Sequence, residues 1–280
     1  MAFSSRQGFF WNSNSFNSVK CSVVSDVCSR LNPVFFGICE SKCVPSARHP
    51  VINGYTCFDK PFSDKSSGLL LYVHDSVIAV RCPALELSPH CLWVKVSPSA
   101  DDGDSFLLGI GYRVASEGKG GFDLLAASLR AATAASPRVL FLADLNARHV
   151  AWGCADSDSF GDSVHALSGE LGLENLNAVH CFGVPTHSGG GVLDLCLCSR
   201  PELVHNVAVD DQFGARDHSA LSVSLSKPID FGVAASHRSW RLDKADWGCF
   251  AAVLEDAVPA LSMFSQQLRT EVDAKRVSAE

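Results

Sequence analysis

A chain of 280 residues, 47% of them hydrophobic, is long enough to bury one sizeable core, and α/β folds of this length are commonly one domain. Its formal net charge of −7 excludes a protein that coats nucleic acid by bulk electrostatics, although a local positive cleft or bound cations would still admit a phosphate backbone. Twelve irregularly spaced cysteines without a CxxC pair fit neither a zinc ribbon nor a secreted disulfide scaffold, and the apolar runs are too short to span a bilayer, so a soluble nuclear or cytoplasmic protein with mostly buried, reduced thiols is expected.

Residues 8–18, GFFWNSNSFNS, begin as a short aromatic strand whose end presents Asn12 and Asn14. Val19, Val23, Val27 and Leu31 then recur near every fourth residue until Asn32-Pro33 stops them, which predicts a helix with one apolar face. VFFGICE predicts a second strand, from Val34 to Cys39, terminating in the carboxylate of Glu40. The stretch 45–68 is turn-rich, with a short strand around Tyr55 to Phe58. LLLYVHDSVIAVRC, CLWVKV and SFLLGIGYR are three β-rich runs that predict an antiparallel meander, the last ending on Tyr112 and Arg113.

Next comes a helix with Asp123 as expected N-cap and an apolar face of Leu124, Leu125 and Leu129. The run Val139 to Ala143 predicts a buried strand that delivers Asp144 and Asn146 into a loop at the sheet rim, where open α/β sheets place their chemistry. DSVHALSGELG is a short helix with Asp162 as expected cap and Val164, Leu167 and Leu171 on its face; LENLN leads into a further turn. Thr186 precedes a glycine-rich turn, and Asp194 lies in a strand where it shares a face with Cys196 and Cys198, opposite Leu193, Leu195 and Leu197. An Asp inside an apolar strand requires a partner, either a cation or a strong donor. A last strand pair holds Asp217-His218 in its connecting loop, and from residue 228 onward Trp240, Trp247, Phe250 and Leu254 predict a helical tail or linker.

Each of these polar residues alone is an ordinary turn or loop residue. Together, Asn12, Glu40, Tyr112, Asp144, Asn146, Asp194, Asp217 and His218 all fall at or near strand ends of one layered pattern. The set is what hydrolysis of a phosphodiester requires: carboxylates for a divalent cation, an acid group to take a proton from water, and an imidazole steadied by a buried Asp. No Ser or Cys nucleophile with a neighbouring base is evident, which favours direct attack by water.

These segments resemble the endonuclease/exonuclease/phosphatase superfamily, and within it the apurinic-endonuclease-like domain of non-LTR retrotransposon polyproteins. WNSNSFNS resembles its opening asparagine motif, FFGICESK the strand ending in its metal-binding glutamate, LADLNARHVAW its "GDFNAHH..W" signature, PTHSGGGVLDLCLCS its buried-Asp segment, and ARDHSALSVSL its "SDHSAL" motif. The resemblance runs in order through residues 8–226, with RLDKADWGCFAAVLE similar to the linker helix before a reverse transcriptase. It implies a DNase I-like four-layered α/β sandwich over residues 1–227, two mixed or antiparallel sheets flanked by helices, with 228–280 leading to a downstream reverse transcriptase. It further implies that Glu40, Asp217 and Asn12 hold Mg²⁺ or Mn²⁺, that Asp144 activates water which Asn146 positions, and that His218, oriented by Asp194, and Tyr112 contact the scissile phosphate. Thr186, Asn14 and Arg113 are the expected substrate contacts. DNA is the implied substrate, one strand being nicked to leave a 3′-hydroxyl that primes reverse transcription. The sequence departs from the family pattern at Ala143, Asn14 and Arg216, where Gly, Asp and Ser are usual, and lacks the Pro after Tyr-Arg. A superfamily phosphatase, an abasic-site repair endonuclease and a non-catalytic binding module stand as alternatives.

Overall fold

A computed structural model describes residues 3–43, 50–62, 67–98, 104–211, 213 and 217–231. These lie in the first of two compact units, Met1–Ala235. Of the helical tail expected from residue 228, residues 228–231 are strand; the remainder, with its tryptophans, and Arg216 lie outside the described residues.

The apolar runs become strands: β1 (Phe3–Asn12), β2 (Phe35–Cys39), β3 (Tyr55–Lys60), β4 (Leu69–His74), β5 (Ile78–Arg81), β6 (Cys91–Ser97), β7 (Phe106–Tyr112), β8 (Val139–Asp144), β9 (Glu174–Asn175), β10 (Asp194–Cys198), β11 (Val204–Asp210) and β12 (Ala220–Phe231). They form two six-stranded sheets, ordered β11-β12-β1-β2-β4-β3 and β5-β6-β7-β8-β10-β9. Each is mixed, because β1 pairs with β2 and β7 with β8 in parallel while their neighbours run antiparallel. Among the described residues four α-helices accompany them: α1 (Ser18–Leu31), α2 (Gly118–Ala135), α3 (Ser159–Leu171) and the short α4 (Leu176–His180).

Alternation along the strands builds the layers. In β8, Leu140 and Leu142 face the core between the sheets, where Phe10, Phe35, Leu108, Ile110, Cys196 and Leu221 also lie. Val139, Phe141 and Ala143 face the other way, against Phe122, Leu125 and Leu129 of α2 and Val164 and Leu167 of α3. On the far side Phe9, Trp11, Phe36 and Ile38 pack against Val24, Val27 and Cys28 of α1. The result is helix, sheet, sheet, helix: the four-layered sandwich expected from the sequence. Each fully buried Leu, Ile or Phe contributes about 1.5–3 kcal/mol. Every described cysteine is a free thiol, and among the described residues no helix is long and apolar enough to cross a membrane.

Three local expectations are corrected. The run LLLYVHDSVIAVRC is two strands: β4 pairs with β2 and β3, whereas β5 pairs with β6 in the opposite sheet, so the meander is β5-β6-β7. A turn at Asp75-Ser76 carries the chain from one sheet to the other within an almost unbroken apolar run. Asp123 lies inside α2, whose N-cap is Glu117, and Asp162 lies in the first turn of α3, whose N-cap Asp158 accepts from Gly161 N at 2.7 Å. The LENLN segment contains β9 and starts α4.

Candidate active site

Strand register brings the polar residues to one end of the sandwich. Asn12 pairs with Cys39 across β1 and β2, so Glu40 emerges beside it. Tyr112 pairs with Asp144 across β7 and β8, and Asp194 pairs with the same Asp144 from β10. In the neighbouring loops Asn14, Ser15, Glu40, Lys42 and Asn146 all have positive φ, at 39°, 84°, 47°, 55° and 45°. Left-handed backbone at side-chain-bearing residues is strained, and it concentrates at this rim.

Asn12 ties the two sheets together. Its Nδ2 donates to Glu40 Oε1 at 2.8 Å and to Asp144 Oδ2 at 2.7 Å, while its Oδ1 accepts from Asn14 N at 2.9 Å. Asp144 is fully buried and its Oδ1 accepts from Asn146 N at 2.9 Å. Burial, then the neighbouring Asp194 carboxylate, pushes the Asp144 pKa far above the ordinary carboxylate range, against the opposing pull of His218 and the two amide donors. Asn146 Nδ2 donates to Arg113 O at 2.9 Å.

His218 is held from three sides. Its Nδ1 is 2.8 Å from Asp194 Oδ2, its Nε2 is 3.7 Å from Asp144 Oδ2, and its carbonyl accepts from Trp11 Nε1 at 3.2 Å. Burial alone would push this imidazole's pKa down. The hydrogen bond and charge of Asp194, with Asp144 and Asp217, outweigh burial and raise it to about 9, so the ring is cationic at neutral pH. Burial, then the nearby Glu40 carboxylate, pushes the Tyr112 pKa up. Asp217, half-buried, accepts from Asn14 Nδ2 at 2.7 Å.

Nine of the eleven residues singled out in the sequence thus converge on this rim: Asn12, Asn14, Glu40, Tyr112, Asp144, Asn146, Asp194, Asp217 and His218. Thr186 and Arg113 are the corrections. Thr186 is fully buried, and its Oγ1 accepts from Leu193 N and Asp194 N at 2.9 and 3.0 Å, so it fixes the start of β10 instead of facing a substrate. Arg113 is 4% exposed; its Nε donates to Leu145 O at 2.6 Å, its Nη2 donates to Asn146 O, and its guanidinium stacks 3.9 Å over Phe160. It clamps the loop that carries Asn146. Burial lowers its pKa, the loss eased by Asp158 and Asp144.

Three further residues belong to this neighbourhood. Lys42 Nζ donates to Asn14 Oδ1 at 2.6 Å and lies 3.8 Å from Glu40 Oε2; its place two residues after Glu40 was the available signal. Buried Asn177 donates through Nδ2 to Asp194 O at 3.0 Å and accepts from Cys196 N at 2.8 Å, bracing β10 from α4. His187 packs edge-on against His218, ring centroids 4.7 Å apart, and both line a cleft of about 270 Å³ with Asp217 and Ser188. Burial, then the His218 cation, pushes the His187 pKa down.

Asp144, Asp194 and His218 form a buried acidic cluster with one potential ligand atom from each within 4.8 Å of the others. The hydrogen bond between His218 Nδ1 and Asp194 Oδ2 already commits that pair to each other. Glu40 bonds Asn12, and Asp217 bonds Asn14, which in turn bonds Asn12, so hard oxygen donors of the kind a small divalent cation takes share one hydrogen-bond chain. The residues fit such an ion.

Residues 112–222 match the family described as Endonuclease-reverse transcriptase. The stretch contains Tyr112, Asp144, Asn146, Asp194 and His218, and the resemblance read from the sequence is borne out. Over 80% of this chain and all of that one, the structure is similar to the endonuclease domain of TRAS1, a telomere-specific non-LTR retrotransposon, at 18% identity and a TM-score of 0.64. A 3′-5′ exonuclease (NExo) from Neisseria meningitidis is similar at 17% identity and a TM-score of 0.64, over 79% of this chain and 100% of that chain. The AP endonuclease LMAP from Leishmania major follows at 14% and 0.63, over 79% and 88%. No curated protein matches. The fold is the DNase I-like sandwich expected from the sequence.

Proposed function

We propose that this chain is a divalent-metal-dependent DNA endonuclease of a non-LTR retrotransposon, part of a larger polyprotein with a reverse transcriptase. It would nick one strand by water attack and leave a 3′-hydroxyl that primes reverse transcription. The observation carrying this reading is the joining of Asn12, Asp144 and Asn146 to the Asp194–His218 pair at one end of the two sheets.

Glu40, Asp217 and Asn12 would hold Mg²⁺ or Mn²⁺, which when bound neutralises phosphate charge. Asp144, with its pKa raised toward neutrality, accepts the proton of the attacking water, and Asn146, fixed by Arg113, orients that water. His218 carries its positive charge toward the phosphate: Nδ1–H goes to Asp194, which leaves Nε2–H for a phosphoryl oxygen. Tyr112 remains a protonated phenol and so donates to a second oxygen. Because the chain's net charge is −7, DNA affinity would depend on this local arrangement and would fall with salt.

The test is Mg²⁺-dependent nicking of supercoiled plasmid by the full chain and by Asp144→Ala. Wild type should relax the plasmid with Mg²⁺ or Mn²⁺ and not with chelator, and the variant should be slower by about 10²- to 10⁴-fold. Equal activity in both, or none in either, ends the nuclease reading. A second reading, abasic-site cleavage, is favoured by the comparable likeness to the LMAP structure. A duplex with one abasic site, run beside intact duplex, separates the two.

A further inference from the structure

The edge-on pairing of His187 with His218 is fixed by the backbone. His187 and His218 form an isolated antiparallel bridge, Ser219 N donates to Thr186 O at 2.9 Å, and Ser188 N donates to Asp217 O at 2.8 Å. The 187–191 turn closes on itself through Gly190 N to His187 O at 2.9 Å and His187 N to Gly191 O at 3.1 Å. The ring orientation is set as well: Gly189 N donates to His187 Nδ1 at 2.9 Å. A Cβ at position 189 would lie 2.9 Å from that nitrogen, so glycine is what lets the amide approach. A nitrogen that accepts a backbone N–H carries no proton, so the neutral ring must hold its proton on Nε2. His187 therefore presents a fixed N–H donor in the same cleft as His218, lined also by Pro185, Ser188 and Asp217.

We propose that His187 is a further phosphate-contacting residue of the site: a neutral imidazole that donates Nε2–H to a non-bridging oxygen of the phosphodiester seated on His218. The division of labour follows from the two partners. The Asp194 carboxylate accepts from His218 Nδ1, whereas a backbone amide donates to His187 Nδ1. Two donors held by one antiparallel bridge meet two oxygens of one phosphate with little ordering left to do on binding.

This inference rests on the phosphodiester-hydrolysing reading, and the experiment separates the two. Nicking by wild type, His187→Ala and His187→Gln is compared under saturating Mg²⁺, with a long-range proton–nitrogen correlation spectrum of the imidazoles recorded on the full wild-type chain. Active wild type, a loss of about ten- to a hundred-fold in kcat/KM for His187→Ala, and partial recovery in His187→Gln, whose side-chain amide restores a donor, support the inference. Wild-type nicking that His187→Ala leaves unchanged overturns it while the nuclease reading stands. A His187 ring protonated on Nδ1 overturns it whatever the activity. An inactive wild type overturns both.

Discussion

At the scale of single residues, the site divides between groups that face the cleft and groups that hold them. Asp194 is of the second kind. Its Oδ2 fixes His218 Nδ1 at 2.8 Å, and its charge is the main support for an imidazole pKa of about 9 in a buried position. Asp194→Asn removes that charge and leaves burial opposed only by Asp144 and Asp217, so the His218 pKa should fall below that of the wild type. The expected outcome is an alkaline limb of the pH–rate profile shifted to lower pH and nicking reduced by about 10²- to 10⁴-fold. NMR titration of the His218 ring checks the cause, and a titration midpoint that stays near that of wild type sinks the explanation. Residues of this holding kind are where sequence reading falls short. The acids and amides at strand ends are legible because strand periodicity places them. Thr186 and Arg113 carry polar groups that suit a substrate equally well, and only their burial, set by distant segments, shows that they bind β10 and the Asn146 loop instead. His187 has no local signal at all, since its meaning comes from a bridge to His218 formed 31 residues later in the chain.

At the scale of elements, the strands most legible in the sequence are those buried on both faces. β2, β7, β8 and β10 are buried throughout, so their apolar runs are nearly continuous. Helix caps and sheet membership are less legible, because they depend on where neighbouring segments lie. α3 illustrates why. Asp158 accepts from Gly161 N through Oδ1 and from Arg148 N, at 3.1 Å, through Oδ2, so the helix start is stapled to the loop after Asn146. Gly161 sits in that junction, where a Cβ would lie 1.7 Å from Arg148 O. Gly161→Ala must therefore push α3 and the Asn146 loop apart, at a cost of about 1–3 kcal/mol and with reduced nicking. Gly169, in the same helix, has nothing within 4 Å of a built Cβ, so Gly169→Ala should be neutral or stabilise by up to about 1 kcal/mol. Chemical denaturation of the pair measures the difference. Equal stabilities would mean that the junction is looser than drawn.

At the scale of the whole molecule, the candidate site is also part of the seam between the sheets. Asn12 of β1 bonds Asp144 of β8, and Trp11 Nε1 donates to His218 O, so the charges that serve the chemistry are folded into the structure that buries them. Stability must then follow the protonation of this cluster. The folded state raises the His218 pKa from 6.5 to about 9, so below 6.5 folded and unfolded chains both bind the proton and the stabilisation is fully present. Between those values only the folded chain binds it, and the stabilisation is lost as pH rises. Asp144 is raised as well, which gives the same sign beginning at lower pH. The melting temperature of the metal-free full chain should fall by roughly 10 °C between pH 6.5 and 9, since that shift is worth about 3 kcal/mol and a domain of this size moves about 2–4 °C per kcal/mol. His218→Gln, which has no proton to bind in this range, should flatten that part of the curve while changing the value below 6.5. Thermal melts of both proteins across the range decide it. A wild-type melting temperature that rises with pH, or an equal slope in the variant, would place the pH dependence of this fold somewhere other than the Asp194–His218–Asp144 seam.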